Sequence, residues 1–440
     1  MDLDPLTPGL PSVDPTELDP IQIFLGDESG DDEEDEEAAS VLLAAMEDVR
    51  LRKAEFRAAQ RSYLVCADLH DDPAVDSAWQ KLFAQQNDRA FINVMGVDCA
   101  TFNQVIASGF AKHWRTTPIR RTDVDIHGAP RNGRRSLGAS GALGLILHYL
   151  NSSAPIKNLQ QIFALIPATA DCYIHHTLTL LLKTLRRMPE TKIKWPSGAE
   201  FEDLSQLVHS RHERLHGTFG FIDGLNLPVQ ESHDPDIENA TYNGWLHAHF
   251  ISNVFVFSPK GTIIACCLNA PGSWHDSRIA DVIYAKLRDR TPEGYFLVAD
   301  SAFPKGTSIV ARRIRSAPKK GQKGARYPRN PERREAAQAY NRQLISCRQA
   351  AEWGMCCLQG SFARLRMPLN IGDGDARLEL LETCVRLHNL RTNLVGINQI
   401  QNTFEPIWKH GDGLWEQLGD ALLTEIQVSD RVLRFYNEHV

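Results

Sequence analysis

The chain has 440 residues, 42% hydrophobic and 23% charged, an ordinary globular composition with room for more than one core at roughly 100–200 residues per domain. No apolar run reaches the ~18 residues of a membrane span, and the first ten residues have neither the basic start nor the apolar core of a secretory signal. Nine cysteines without a CxxC pair argue against a disulfide framework or a zinc ribbon.

The net charge of −7 hides a division along the chain. Residues 1–40 carry 14 acids and no Lys or Arg, which leaves 41 acids against 48 bases, a net of +7, over the rest. A basic body suits a polyanionic partner. Residues 1–37, with repeated prolines and the run Asp31 to Glu37, hold too little apolar surface to offset the entropy of ordering. They are expected to be a disordered acidic tail, acting as a solubilising segment or as a mimic of DNA that shields the basic body.

Residues 38–135 are expected to be helical with a basic linker. Val41, Leu42, Ala45, Met46 and Val49 follow helical spacing, as do Trp79, Leu82, Phe83 and Phe91. Residues 136–195 predict three short helices: one capped by Ser136 with Leu143, Ile146, Leu147 and Leu150 inward, one around Leu159 to Leu165 ended by Pro167, and one from Thr169 to Leu185. Three helices with tight turns fit either a helix-turn-helix or a plain packing domain. The basic linker before them (Lys112, Arg115, Arg120, Arg121, Arg131, Arg134, Arg135) suits phosphate contacts or a solvated loop.

From 215 to 395 the pattern is that of an α/β domain. Strands are predicted at Phe221–Asp223, Phe250–Phe257, Thr262–Leu268 and Tyr295–Ala299, the middle two as a hairpin around Ser258–Gly261, with helices at Ser277–Leu287 and Pro331–Leu358. Residues 396–440 form a C-terminal helical extension.

Asp223 and Asp300 end two β-rich runs, and Glu352 lies on the long helix. On neighbouring strands, both aspartates emerge at one edge of the sheet. Three carboxylates at one point repel unless cations lie between them. Oxygen ligands of this kind favour Mg²⁺ or Mn²⁺, and two such ions can activate a nucleophile and stabilise a leaving oxygen in phosphodiester chemistry.

Six blocks then carry a resemblance. They are Phe221 to Pro228 (FIDGLNLP); Tyr242 to Trp245 with His247 and His249; Asn269 to Ser277 (NAPGSWHDS); Leu297 to Pro304 (LVADSAFP); Asn341 with Arg348, Glu352, Trp353, Gly354, Leu358, Phe362 and Leu365; and Cys384 to Leu390 (CVRLHNL). In this order the segment from about 136 to 395 resembles a PIF/Harbinger-type transposase of the DDE superfamily. The resemblance implies a ribonuclease H-like catalytic domain, a triad of Asp223, Asp300 and Glu352 holding two divalent ions, and an N-terminal all-α region containing a helix-turn-helix. It further implies a DNA endonuclease that also joins 3′-hydroxyl ends to target DNA, a nuclear location with the cytoplasm as a second site, and reliance on a separate Myb-like DNA-binding protein. A homo-oligomer fits the same picture; a membrane does not. Leu225 and Asn226 replace the usual Thr-His, and Trp353 and Gln359 stand where Phe and Lys are more usual. A catalytically lapsed DNA-binding or scaffold protein is the alternative.

Around the triad, Asp276 is expected to cap a helix or to support the metal ligands, and His275 and Arg348 are further supporting candidates. Arg348 sits one turn before Glu352 and can pair with it or reach DNA. Residues 305–350 carry 13 Lys and Arg against Glu332 and Glu335, and Lys319, Lys320, Lys323 and Arg326, in a loop with two glycines, are the expected DNA-backbone contacts. The adjacent pairs Cys266–Cys267 and Cys356–Cys357 are expected to pack rather than bind metal.

Overall fold

The computed structural model describes residues 32–59, 73, 75–119, 128–304, 308–317 and 330–405. The chain divides into two units, Met1–Tyr63 and Leu64–Val440. In the first, one helix, α1 (Asp32–Ala59), is described. Its first turns, Asp32 to Glu37, are helical, at the end of a helix where acidic side chains are favoured by the helix dipole.

The second unit opens with α2 (Ala78–Gln85), α3 (Asp88–Met95), α4 (Cys99–Val105) and α5 (Ala111–Thr116). Ser77, Asn87 and Asp98 cap the first three, each accepting backbone N–H bonds that the first helical turn leaves unpaired. Three more helices follow, α6 (Ala139–Asn151), α7 (Ile156–Phe163) and α8 (Pro167–Leu185). Two expectations change here. Ser136 does not cap α6, whose N-cap is Gly138; the Ser136 N–H instead donates to the Tyr173 hydroxyl. Pro167 opens α8 rather than merely ending α7, because proline lacks the N–H that a first helical residue would leave unpaired and its φ is already helical. The exposed stripe of α8 is Asp171, His175, Thr179 and Lys183, and Thr179 donates from it to Glu379.

The remaining elements are α9 (Glu200–Arg211), β1 (Thr218–Pro228), α10 (Pro235–Thr241), β2 (Tyr242–Asn243), β3 (Ala248–Phe257), β4 (Ile263–Pro271), α11 (Asp276–Ile279), α12 (Asp281–Arg290), β5 (Phe296–Ala299), α13 (Ile309–Arg312), β6 (Ile314–Arg315), α14 (Pro331–Ser361), α15 (Gly374–Leu394) and α16 (Gln399–Phe404). The sheet is mixed. β4, β3 and β1 run antiparallel; β5 lies parallel to β1, and β6 parallel to β5. β2 joins the edge of β3 at Tyr242 and Asn243.

Each face of the sheet buries apolar side chains, as β-strands with helices on both sides require. Phe219, Ile222, Val254, Val256, Leu297 and Ala299 pack with Phe201, Ile283 and Leu287 from α9 and α12. On the other face Phe221, Phe255, Phe257 and Val298 share a core with Ala350, Ala351 and Leu358 of α14 and with Leu381, Val385 and Leu387 of α15. That second core runs on without a break into Trp79, Phe102, Ile146, Leu147 and Leu181 of the helical region. The sequence division between 136–195 and 215–395 is therefore not a division in packing: α15 lies against both α8 and β4. Among the described residues no single helix is long and apolar enough to cross a membrane.

Candidate active site

Asp223 sits within β1, which continues five residues past it to Pro228. Its parallel pairing with β5, however, ends at Ile222 opposite Ala299. Asp223 and Asp300 are thus the next residues on two adjacent strands, one step beyond the last pair. Alternation along a strand gives each the same face as the residue two before it, Phe221 and Val298, the face that α14 covers.

α14 brings Arg348 and Glu352 to this rim. The Arg348 guanidinium lies 2.6 Å from a Glu352 carboxylate oxygen and 3.7 Å from an Asp223 oxygen. Asp223 is well covered, with 15% of its side chain exposed, whereas Glu352 retains 46%. Burial pushes the Asp223 carboxyl up to about 6, against the Gly224 N–H and Arg348, which pull it down; Asp300 and Asp276 add to the rise by repulsion. The Gly224 N–H donates to Asp223 Oδ1 at 2.9 Å.

Asp276 comes closer than the sequence suggested. Its carboxylate rests on the backbone of Gly224, so near that a Cβ at that glycine would lie 2.5 Å from Asp276 Cγ. Burial first, and then Asp300, raise its carboxyl, while His275 lowers it. It does not cap α11. That bond belongs to His275, whose side chain accepts from the Ser277 N–H. The signal for this position was Gly224 itself, the one residue type that leaves room for a second carboxylate beside the first.

Four carboxylates, Asp223, Asp276, Asp300 and Glu352, and one guanidinium therefore share this rim. Their chemistry suits a hard divalent cation, since buried anions in excess demand positive charge. They are not a finished ligand set: among the described residues no three His, Cys, Asp or Glu side chains stand close enough to hold a metal ion. Glu352 is turned to Arg348, which lies between it and Asp223.

Lys319, Lys320, Lys323 and Arg326 lie outside the described residues, as do Lys305, Arg120 and Arg121. Arg131 and Arg134 are exposed. Cys266 and Cys267, neighbours on β4, pack against opposite faces of the sheet, which removes them as joint ligands of one ion. His249 bonds Thr241 at 3.1 Å, and Asn243 holds the following turn by accepting from the Trp245 and Leu246 N–H groups.

Residues 222–389 match the family model described as DDE superfamily endonuclease, a match consistent with a DDE transposase. Neither curated proteins nor solved structures gave a match.

Proposed function

We propose, on the premise that residues 222–389 resemble the DDE superfamily endonucleases, that this chain is a divalent-metal-dependent DNA endonuclease with a ribonuclease H-like catalytic core. The observation that carries the reading is the placement of Asp223 and Asp300 side by side where β1 and β5 part, inside the matched segment. Asp223, Asp300 and Glu352 would hold Mg²⁺ or Mn²⁺, with Asp276 beside them. When bound, such ions supply a Lewis acid for the attacking oxygen and for the leaving oxygen of a phosphodiester.

The chain's own groups have distinct parts. Asp223, buried and flanked by two further aspartates, is a carboxylate that gains from a cation, because burial disfavours its charged form. Arg348 holds Asp223 and Glu352 together and offsets part of their charge, a balance that a bound cation would also supply. The basic segment with Lys319, Lys320, Lys323 and Arg326 would follow the DNA backbone, since flexible cations neutralise phosphates without reading bases. Hydrolysis leaves a 3′-hydroxyl, and joining that hydroxyl to a target phosphodiester would make the enzyme a transposase of the Harbinger kind, acting in the nucleus with a Myb-like partner.

One observation favours a second reading, a lapsed enzyme that only binds DNA: the Arg348 bridge already satisfies Glu352. Cleavage of duplex DNA in Mg²⁺ or Mn²⁺ separates the two. The wild type should cut, and Asp223→Asn or Asp300→Asn should lower the rate by ~10³-fold or more, about 4 kcal/mol of transition-state stabilisation. Cutting that survives both substitutions would remove the site; DNA binding with no cutting by any form would establish the lapsed reading.

A further inference from the structure

α1 is the helix described in the first unit. Its 28 residues make a rod of roughly 42 Å at 1.5 Å per residue. Val41, Leu42, Leu43, Met46, Val49, Leu51 and Phe56 on it are each at least half exposed. So many large apolar side chains open to water mark an interaction surface.

The stripe has a register. Leu42, Met46, Val49, Lys53 and Phe56 are spaced four, three, four and three, the spacing of a two-stranded coiled-coil seam. The same spacing run backward reaches Ala39 and Asp35. One step further back the spacing reaches Asp32, so the seam holds two acidic positions near its start and one basic position near its end.

The whole helix shares that polarity. Asp32 to Glu37 are all acids, Glu47 and Asp48 follow, and no base occurs before Arg50; beyond it come Arg52, Lys53 and Arg57 with Glu55 as the one acid. Arg50 pairs with Glu47 at 3.5 Å and Arg52 with Asp48 at 2.8 Å. Both pairs are largely exposed and worth only a few tenths of a kcal/mol, so they leave the polarity of the two halves in place.

We propose that α1 is a homodimerisation element that packs antiparallel against α1 of a second copy. About a twofold axis at Ala44, Leu42 of one copy faces Met46 of the other, the Ala39 position faces Val49, the Asp35 position faces Lys53, and the Asp32 position faces Phe56 at the end of the seam. Each acidic half then lies along a basic half. A parallel pair would set Asp35 against Asp35, Lys53 against Lys53 and six consecutive acids against six. The charge pattern is self-complementary in one orientation only, which selects a second copy of this chain as the occupant and fixes its direction.

Sedimentation equilibrium of the full-length protein tests this without any reading of nuclease activity. The wild type should dimerise at concentrations up to about 100 µM. Lys53→Glu alone, or Asp35→Lys alone, should weaken the dimer roughly 100-fold by opposing like charges at both ends of the axis. The two substitutions in one chain should restore it, since each position again meets its opposite. Leu42→Glu with Met46→Glu should give a monomer. A wild type that stays monomeric overturns the proposal, as does a pair of single charge variants that dimerise normally or a double variant that fails to recover.

Discussion

Two polar clusters lie on the same sheet and obey different rules. At the β3–β4 turn, His388, Asn389, Thr392 and Asn398 are all buried and close upon one another. Asn389 pairs both backbone groups of Ile263 and the Lys192 carbonyl. His388 and Asn398 both bond the Gly261 carbonyl, beneath a turn whose positive φ and close approach to Asn398 require glycine. At the other cluster, Asp223, Asp276 and Asp300 add charge of one sign, and Arg348 is the cation that reaches into it. The first cluster pairs its side chains with neutral backbone and side-chain partners; the second leaves anionic charge in excess. Burial with full pairing is architecture, and burial with charge left over points to a ligand of opposite sign. His388 and Asn389, which belong to one of the six blocks behind the resemblance, fall on the architectural side.

The contrast can be broken or sharpened by substitution. Asn389→Ala should be the most destabilising, by about 4 kcal/mol, because it strands the N–H and C=O of Ile263 and the Lys192 carbonyl in a dry interior. Urea denaturation reads that loss, while metal-dependent cleavage per folded molecule should stay unchanged. A collapse of cleavage in the folded fraction would show that the two clusters are coupled.

Asp223→Asn should behave in the opposite sense. A carboxyl raised from 3.8 to about 6 on folding holds its proton more tightly in the folded chain. Its effect on stability is nil below the unfolded value, grows as a cost while pH climbs through the interval, and is complete above about 6. In chelator the variant should therefore match the wild type near pH 4 and exceed it near pH 7.5 by up to about 3 kcal/mol, at 1.36 kcal/mol per unit. A variant less stable at pH 7.5 would mean that Arg348 already compensates Asp223 fully.

The smallest effect is expected from Gly224→Ala. The added methyl displaces the Asp276 carboxylate, which swings outward, so stability should fall by only about 1 kcal/mol. The cleavage rate should fall about tenfold if Asp276 belongs with the other acids. An unchanged rate would place Asp276 among the architectural residues.

The strands and the acid pair were legible because they depend on local pattern. An apolar run closing on an acid reads the same in sequence and in the sheet, and β5 ends at Ala299 as expected. β1 runs on past its apolar signature: residues 224 to 228 lack strand-like alternation and are extended because β3 pairs with the strand from Phe221 to Pro228. The helix expected over Ser277–Leu287 breaks at Ala280 into α11 and α12, where the chain turns from the rim to the sheet face. Pro167 has the same sequence signature whether it ends one helix or starts the next, and here it starts α8.

What the sequence determined by itself is the set of groups and their chemistry: the acids at the ends of apolar runs, the charge asymmetry of α1, and the spacing of its apolar stripe, all properties of neighbours along the chain. What only the tertiary structure decided is which groups share a space. Asp276 reaches Gly224 across some fifty residues of chain, Arg348 bridges two carboxylates from different elements, and His388 turns out to hold up a hairpin. Those choices follow from strand order and helix docking, which are fixed by packing across the whole core rather than by any local pattern.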